Sequence, residues 1–273
     1  MNNSTFPKIS IIIPSYNQGM FLEETIVSIL DQNYSNLEMI LMDGGSNDNT
    51  IQIIDKYKKY FTYWISKKDN GQSDAINQGF KKATGEIVTW LCSDDTYLSG
   101  TLEYVGKYFN EYPEIDVLFG DVKSIDSESN VITELRGLKF SKRKYLSRIG
   151  TIPQPASFFK KSLLEKIGLL DESLNYCMDY DFFARIIFTD HNLLHVNISL
   201  ATYRYHNLSK SVSGLNLEGG HNSTMIILQK KYSNENNYNL SVVKLSRIWF
   251  NFLRILKNID RFLKYRKNYL VNK

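Results

Sequence analysis

Cysteine is scarce in this chain of 273 residues, which carries only Cys92 and Cys177. Two thiols without metal-type spacing make neither a disulfide framework nor a zinc site, and both read as reduced, mostly buried side chains. Long hydrophobic runs are missing too. No window of about 18 uncharged apolar residues occurs, which excludes a membrane-spanning helix. The opening Met1 to Lys8 is polar and lacks the apolar core of a secretion signal, so the cytoplasm is the expected location. Neither a Gly-x-Gly-x-x-Gly dinucleotide loop nor a phosphate loop ending in Lys-Ser/Thr is present. Pro14 to Gly19, after the first apolar run, holds no basic residue, which argues against an enzyme that makes sugar nucleotides. Repeats and low-complexity segments are also lacking.

Apolar side chains make up 42% of the chain, enough for a real core and too many for a disordered chain. The formal charge of +4 is unevenly spread. Residues 240–273 hold nine Lys/Arg against Asp260 alone, and the rest holds 24 basic against 28 acidic residues. A mildly acidic body with a basic tail is a poor nucleic-acid binder. In the tail, Leu245, Ile248, Phe252, Leu256, Ile259 and Leu263 recur at helical spacing, with Arg247, Arg254 and Arg261 every seven residues. Such a helix can lie on an anionic membrane surface, or pack on its own domain or on a second chain.

Up to residue 121, two kinds of segment alternate. Ile9 to Ile13, Leu37 to Met42, Tyr63 to Ser66, Ile87 to Leu91 and Val117 to Gly120 read as strands. Phe21 to Gln32, Asn49 to Phe61, Gln72 to Ala83 and Thr101 to Tyr112 read as helices. The pattern predicts an α/β fold with a mostly parallel sheet flanked by helices, which binds ligands beyond the carboxyl ends of its strands. Beyond 121 the alternation is lost. Val122 to Arg148 reads as a hairpin or a loop with a short helix, and Pro153 to Phe159 as extended. Lys161 to Gly168 and Asp179 to Asp190 read as helices, and Leu193 to Tyr205 as a strand.

Three polar segments fall at predicted strand ends and so share one rim: Pro14-Ser15-Tyr16-Asn17-Gln18-Gly19, Asp43-Gly44-Gly45-Ser46-Asn47-Asp48 and Ser93-Asp94-Asp95. Adjacent carboxylates repel, and a hard divalent cation such as Mg²⁺ or Mn²⁺ relieves that repulsion. Ser93-Asp94-Asp95 also suits a helix cap, and its place on the shared rim tips the reading to metal. Asp43 could accept hydrogen bonds from a nucleobase or ribose, with Gly45 letting backbone come close. Asp74 and Asn77 lie on one face at the start of a helix whose amides could meet a diphosphate. Asp179 could serve as a general base, whereas Asp181 is placed to pair with Arg185 along the helix. His206 is a candidate metal ligand, or simply a satisfied histidine.

Taken in order, Ile11-Ile12-Ile13-Pro14-Ser15-Tyr16-Asn17, Asp43-Gly44-Gly45-Ser46 with Asp48 and Thr50, Asp69-Asn70-Gly71 with Ala75 and Asn77, Ser93-Asp94-Asp95, and Asp179-Tyr180-Asp181 with Arg185 resemble a bacterial family 2 glycosyltransferase of GT-A fold. The resemblance covers about residues 7–210. It implies a GT-A-type, Rossmann-like sheet in residues 1–214, with a nucleotide-binding half (about 7–121) and a smaller acceptor half (about 122–214), followed by a helical basic extension, 215–273. It implies inverting transfer of one sugar from a nucleotide-diphosphate sugar, UDP-linked by expectation, to a hydroxyl of a glycan or lipid-linked acceptor in cell-surface polysaccharide synthesis. Pro14, Ser15, Tyr16, Asn17, Asp43, Gly45, Asp74, Asn77, Ser93 and Asp94 would line the nucleotide side. Asp95, with Asp94 and His206, would hold Mn²⁺ or Mg²⁺, and Asp179 would be the base. Peripheral membrane contact through the tail and a homo-oligomer are further expectations. The departures are Ser93, where the first carboxylate of the metal motif is expected, and Met178, where an acid often precedes the base. The competing class is a catalytically silent module that keeps the nucleotide pocket, against which Asp94, Asp95 and Asp179 argue.

Overall fold

The computed structural model describes residues 6–135, 141–147, 152–207, 209–210, 214, 219–239, 241–242 and 245. Most of the basic tail therefore lies outside the described residues. Eight strands form one sheet: β1 (Ile9–Ser15), β2 (Leu37–Asp43), β3 (Tyr63–Ser66), β4 (Ile87–Trp90), β5 (Val117–Ile125), β6 (Val131–Leu135), β7 (Ser157–Lys160) and β8 (Leu193–Arg204). Their order is β3-β2-β1-β4-β7-β5-β6, with β8 also paired to β5. Strands β1 to β4 are mutually parallel. β7 enters antiparallel between β4 and β5, and β8 runs parallel to β5.

Among the described residues the helices are α1 (Leu22–Leu30), α2 (Thr50–Tyr57), α3 (Gln72–Lys82), α4 (Thr101–Glu111), α5 (Lys142–Leu146), α6 (Lys161–Ile167), α7 (Met178–Ile187) and α8 (His221–Glu235). Every residue of β1 and β4 is buried, as parallel strands covered on both faces require. On one face Ile9, Ile11 and Ile13 pack with Leu22, Ile26, Leu102 and Val105 from α1 and α4. On the other, Phe80, Trp90, Phe159, Phe182 and Phe183 form an aromatic cluster with ring centroids 5.2–6.1 Å apart. Gly79 lets α3 press on β1: a Cβ there would stand 2.5 Å from Ile12 Cγ2.

Some elements differ from expectation. The second helix stops at Tyr57 and tightens into a 3₁₀ turn over Lys58–Tyr60. Residues 154–156 are a 3₁₀ turn rather than extended, because Pro155 supplies a helix-compatible φ at the start of that turn. β5 runs on to Ile125, since β8 pairs along its whole length and β6 takes over from β7 beside its second half. Both readings of 122–148 occur, a β5–β6 hairpin and then the short α5.

The chain forms two compact units. The first is Met1–Gly137 with Ile152–Ile226 and holds all eight strands. The second joins Leu138–Thr151 to the chain from Ile227 onward. Within it Tyr145, Leu146, Leu228 and Tyr232 are buried, and Gln229 Nε2 donates to the carbonyl of Leu146. Among the described residues no helix is long and apolar enough to cross a membrane.

Candidate active site

Sheet register gathers the site. Ser15 stands opposite Asp43, Asp43 opposite Ser66, and Ile12 opposite Trp90, so the carboxyl ends of β1 to β4 lie along one edge. The loops there are stitched to each other. Asn17 takes a left-handed φ of 51°, which asparagine tolerates better than most residues. Its amide donates to Ser46 Oγ (2.8 Å), and its Oδ1 accepts from the amide of Asn47 (2.8 Å). Asp48 Oδ2 accepts from the amide of Gly19 at 2.9 Å.

Asp43 holds its own loop. Its Oδ2 accepts from the amides of Gly45 (3.1 Å) and Ser46 (3.0 Å) and from Ser66 Oγ (2.6 Å). Gly45 has a φ of 84°, a conformation that glycine adopts without strain. Asp43 and Asp74 face one cleft of about 190 Å³, lined also by Ile65, Lys67, Lys68 and Asp69. Asp74 accepts from the amide of Asn70 (3.0 Å) and from Gln78 Nε2 (2.8 Å), and these bonds hold its carboxyl below the usual range. Tyr16 is exposed beside β1, and the hydroxyl of Ser15 is buried with no hydrogen-bond partner among the described residues. Asn77 points elsewhere. It is buried, and its carboxamide bonds the amide and carbonyl of Leu170 and Glu172 Oε1.

The acidic pair follows β4. Asp95 is 3% exposed, and its Oδ1 accepts from the amide of Arg204 at 2.9 Å. Asp94 Oδ2 lies 3.0 Å from His206 Nε2, and the His206 ring packs on Phe21 with centroids 4.8 Å apart. Ser93 is buried beside them. Burial, and then the charge of Asp94, push the Asp95 carboxyl well above the usual carboxylate range. The ligand atoms of Cys92, Asp94 and Asp95 all lie within 4.8 Å of one another. Oxygen donors placed this close, one of them destabilised as an anion, fit a divalent cation, whose charge would remove that penalty. His206 stands one step outside this trio, bound to Asp94.

Asp179 opens α7, behind Cys177 at a φ of 60°. Burial raises its carboxyl, while the amide of Tyr180 and the charges of His221 and Lys210 act the other way. Burial, and then the charges of Asp95, Asp94 and Asp179, raise the Cys92 thiol. Asp181 pairs with Arg185 at 2.9 Å, and Arg185 also donates to the carbonyls of Ile167 and Leu169.

Three features escaped the sequence reading. Cys92 is not a core thiol but is half-buried among the acids. Lys67 and Lys68 line the cleft, and their place just after a rim strand was the available signal. Arg204 is fully buried and clamps the loop that carries Asp94 and Asp95. Its Nε donates to the carbonyl of Asp94 (2.8 Å) and its Nη2 to Glu24 Oε2 (2.6 Å), while its Nη1 reaches the carbonyl of Asp126 and Ser129 Oγ. Nothing local in the sequence marks it.

Residues 10–168 match the family described as Glycosyl transferase family 2. An uncharacterised glycosyltransferase of Rickettsia typhi is 34% identical over 209 residues, covering 70% of this chain and 64% of that protein. A GalNAc(5)-diNAcBac-PP-undecaprenol beta-1,3-glucosyltransferase of Campylobacter jejuni is 33% identical over 169 residues, covering 58% and 53%. The chain thus spans less than two thirds of the length of both. The crystal structure of S. aureus TarS in complex with UDP-GlcNAc superposes with a TM-score of 0.67 at 19% identity, covering 90% of this chain and 72% of that one. That likeness carries the fold, a mixed α/β sheet of the GT-A type.

Proposed function

The chain belongs to glycosyl transferase family 2, and from that premise we propose that it is an inverting, metal-dependent transferase. It moves one sugar from a nucleotide-diphosphate sugar, UDP-linked in our reading, to a hydroxyl of a glycan or lipid-linked acceptor in cell-surface polysaccharide synthesis. The single observation that carries the reading is the cluster that Asp94 and Asp95 make with Cys92 at the end of β4. A silent binding module would need neither a clustered acidic pair nor a buried carboxylate with a raised pKa.

Pro14, Ser15, Tyr16 and Asn17 line the nucleotide, with exposed Tyr16 offering its ring to the base. Asp43, Gly45 and Asp74 shape the cleft for base and ribose, and Lys67 and Lys68 add the charge that an anionic donor favours. Asn77 acts on the donor only through the 170–172 turn that it holds. Asp94 and Asp95, with Ser93 beside them and His206 steadying Asp94, would hold Mn²⁺ or Mg²⁺. When bound, that ion offsets the charge that builds on the departing nucleoside diphosphate. Asp179 takes the proton of the acceptor hydroxyl, whose oxygen bonds the anomeric carbon from the face opposite the nucleotide. The sugar–phosphate bond breaks in the same step, and the configuration inverts. A raised pKa keeps Asp179 a stronger base than a surface carboxylate.

In this reading residues 122–214 carry the acceptor half, and the basic segment of 215–273 rests on the cytoplasmic membrane face where lipid-linked acceptors are presented. Its helix-spaced residues from Ile248 onward lie outside the described residues. Two substitutions test the chemistry. Asp179→Asn should keep Mn²⁺-dependent donor binding and lose transfer by about 10³-fold or more. Asp95→Ala should lose both. Near-normal transfer by Asp179→Asn, or full activity of Asp95→Ala or of wild type in chelator, rejects the assignments.

A further inference from the structure

Cys92 stands beside the two acids of the proposed cation site. Its sulfur lies with an oxygen of Asp94 and one of Asp95 in a cluster whose ligand atoms are all within 4.8 Å of one another. Two donors on one ion can be no farther apart than the sum of their bond lengths, about 4.4 Å for a thiolate and a carboxylate on zinc. A contraction of about half an ångström thus makes the cluster a three-donor site by that measure. Donor capacity is free on both acids. Asp95 spends Oδ1 on the amide of Arg204, and Asp94 spends Oδ2 on His206. Asp95 Oδ2 and Asp94 Oδ1 accept no hydrogen bond among the described residues, although Asp95 is only 3% exposed. The thiol itself is lightly held, 3.4 Å from Gln72 Nε2 and 3.6 Å from Gln154 Oε1, and gives up little on turning to a metal.

We infer that Cys92 is a third donor of this cation site and biases it toward thiophilic divalent ions over magnesium. The inference rests on the reading above that Asp94 and Asp95 hold a cation. Sulfur favours Cd²⁺ and Zn²⁺, whereas Mg²⁺ demands an octahedron of oxygens and keeps several waters. On binding, the S–H bond breaks, the proton passes to solvent and a sulfur–metal bond forms, with no change of oxidation state. Cd²⁺ or Zn²⁺ held by sulfur and two carboxylates has less room for diphosphate oxygens, so either ion competes with Mn²⁺ and slows transfer.

The test uses the full chain and CdCl₂ alone, with neither donor nor acceptor present. Wild type and Cys177→Ser should both develop the ultraviolet thiolate-to-cadmium charge-transfer band. Cys92→Ser, with unchanged circular dichroism, should lose the band and bind Cd²⁺ at least about tenfold more weakly by calorimetry. Cys92→Asp should bind Mg²⁺ more tightly than wild type and Cd²⁺ more weakly. A band that survives in Cys92→Ser overturns the inference. A wild type that binds Mn²⁺ without showing the cadmium band overturns it alone, and a wild type that binds neither ion overturns the cation reading with it.

Discussion

Arg204 keeps a permanent charge with no part of its side chain exposed. Three kinds of acceptor satisfy it, namely the Glu24 carboxylate, the carbonyls of Asp94 and Asp126, and the hydroxyl of Ser129. Its guanidinium also lies 4.7 Å from the centroid of the Phe21 ring. A planar fork can serve all of these at once, and a lysine ammonium cannot. Arg204→Lys should therefore destabilise the protein by roughly 2–3 kcal/mol in urea unfolding, because it leaves buried carbonyls unpaired. It should also weaken Mn²⁺ binding, since the same side chain holds the backbone of Asp94 in place. Wild-type stability together with wild-type Mn²⁺ affinity would show that the clamp does not position the loop.

At the scale of elements, β2 is pinned to its neighbours by one carboxylate. Glu38 is 2% exposed and accepts from Ser10 Oγ on β1, from the amide and hydroxyl of Thr84 between α3 and β4, and from Lys8 Nζ. Burial raises its pKa, but the hydrogen bonds from Ser10, Thr84 and Lys8 outweigh it and bring the value from 4.5 to about 2. The folded value is depressed, so Glu38 stabilises the fold fully above its ordinary value. That contribution fades as pH falls from about 4.5 toward about 2. The shift corresponds to about 3 kcal/mol at most. The stability gap between wild type and Glu38→Gln should thus be largest at neutral pH and narrow through that window in denaturant titrations. A gap that does not change with pH would place the stabilisation outside this titration.

At the scale of the molecule, Cys92, Asp94, Asp95, Asp179 and His206 all belong to the unit that holds the sheet. A ligand of this site binds the folded form alone and stabilises it by mass action. A nucleotide sugar with Mn²⁺ at 100 times its Kd adds about 2.7 kcal/mol. For a domain of this size that raises Tm by about 5–10 °C. A thermal-shift screen across nucleotide sugars, with and without Mn²⁺, reads both the donor and the metal dependence. No shift with any of them would reject the donor reading, and a shift that does not need Mn²⁺ would reject the metal dependence.

The sequence by itself determined the strand–helix alternation from Ile9 to Gly120, because side-chain period is local information written every two or every 3.6 residues. It also placed Asn17, Asp43, Asp94 and Asp95 on one rim, since parallel strands joined by helices must align their carboxyl ends. The Asp181–Arg185 pair was legible for the same local reason, four residues along one helix. Only the tertiary structure decided that β7 slips antiparallel between β4 and β5, that Asn77 is spent on Leu170, and that Arg204 and His206 close on Asp94 and Asp95. The contacts of Asn77, Arg204 and His206 join residues 93 to 112 positions apart in the chain. No periodicity spans such a distance, so packing of the completed sheet selects the partners. Cys92 shows the division within a single residue. Its type and place beside the acids are written in the chain, but its sulfur joins their cluster only where β4 ends against α3 and the 154–156 turn.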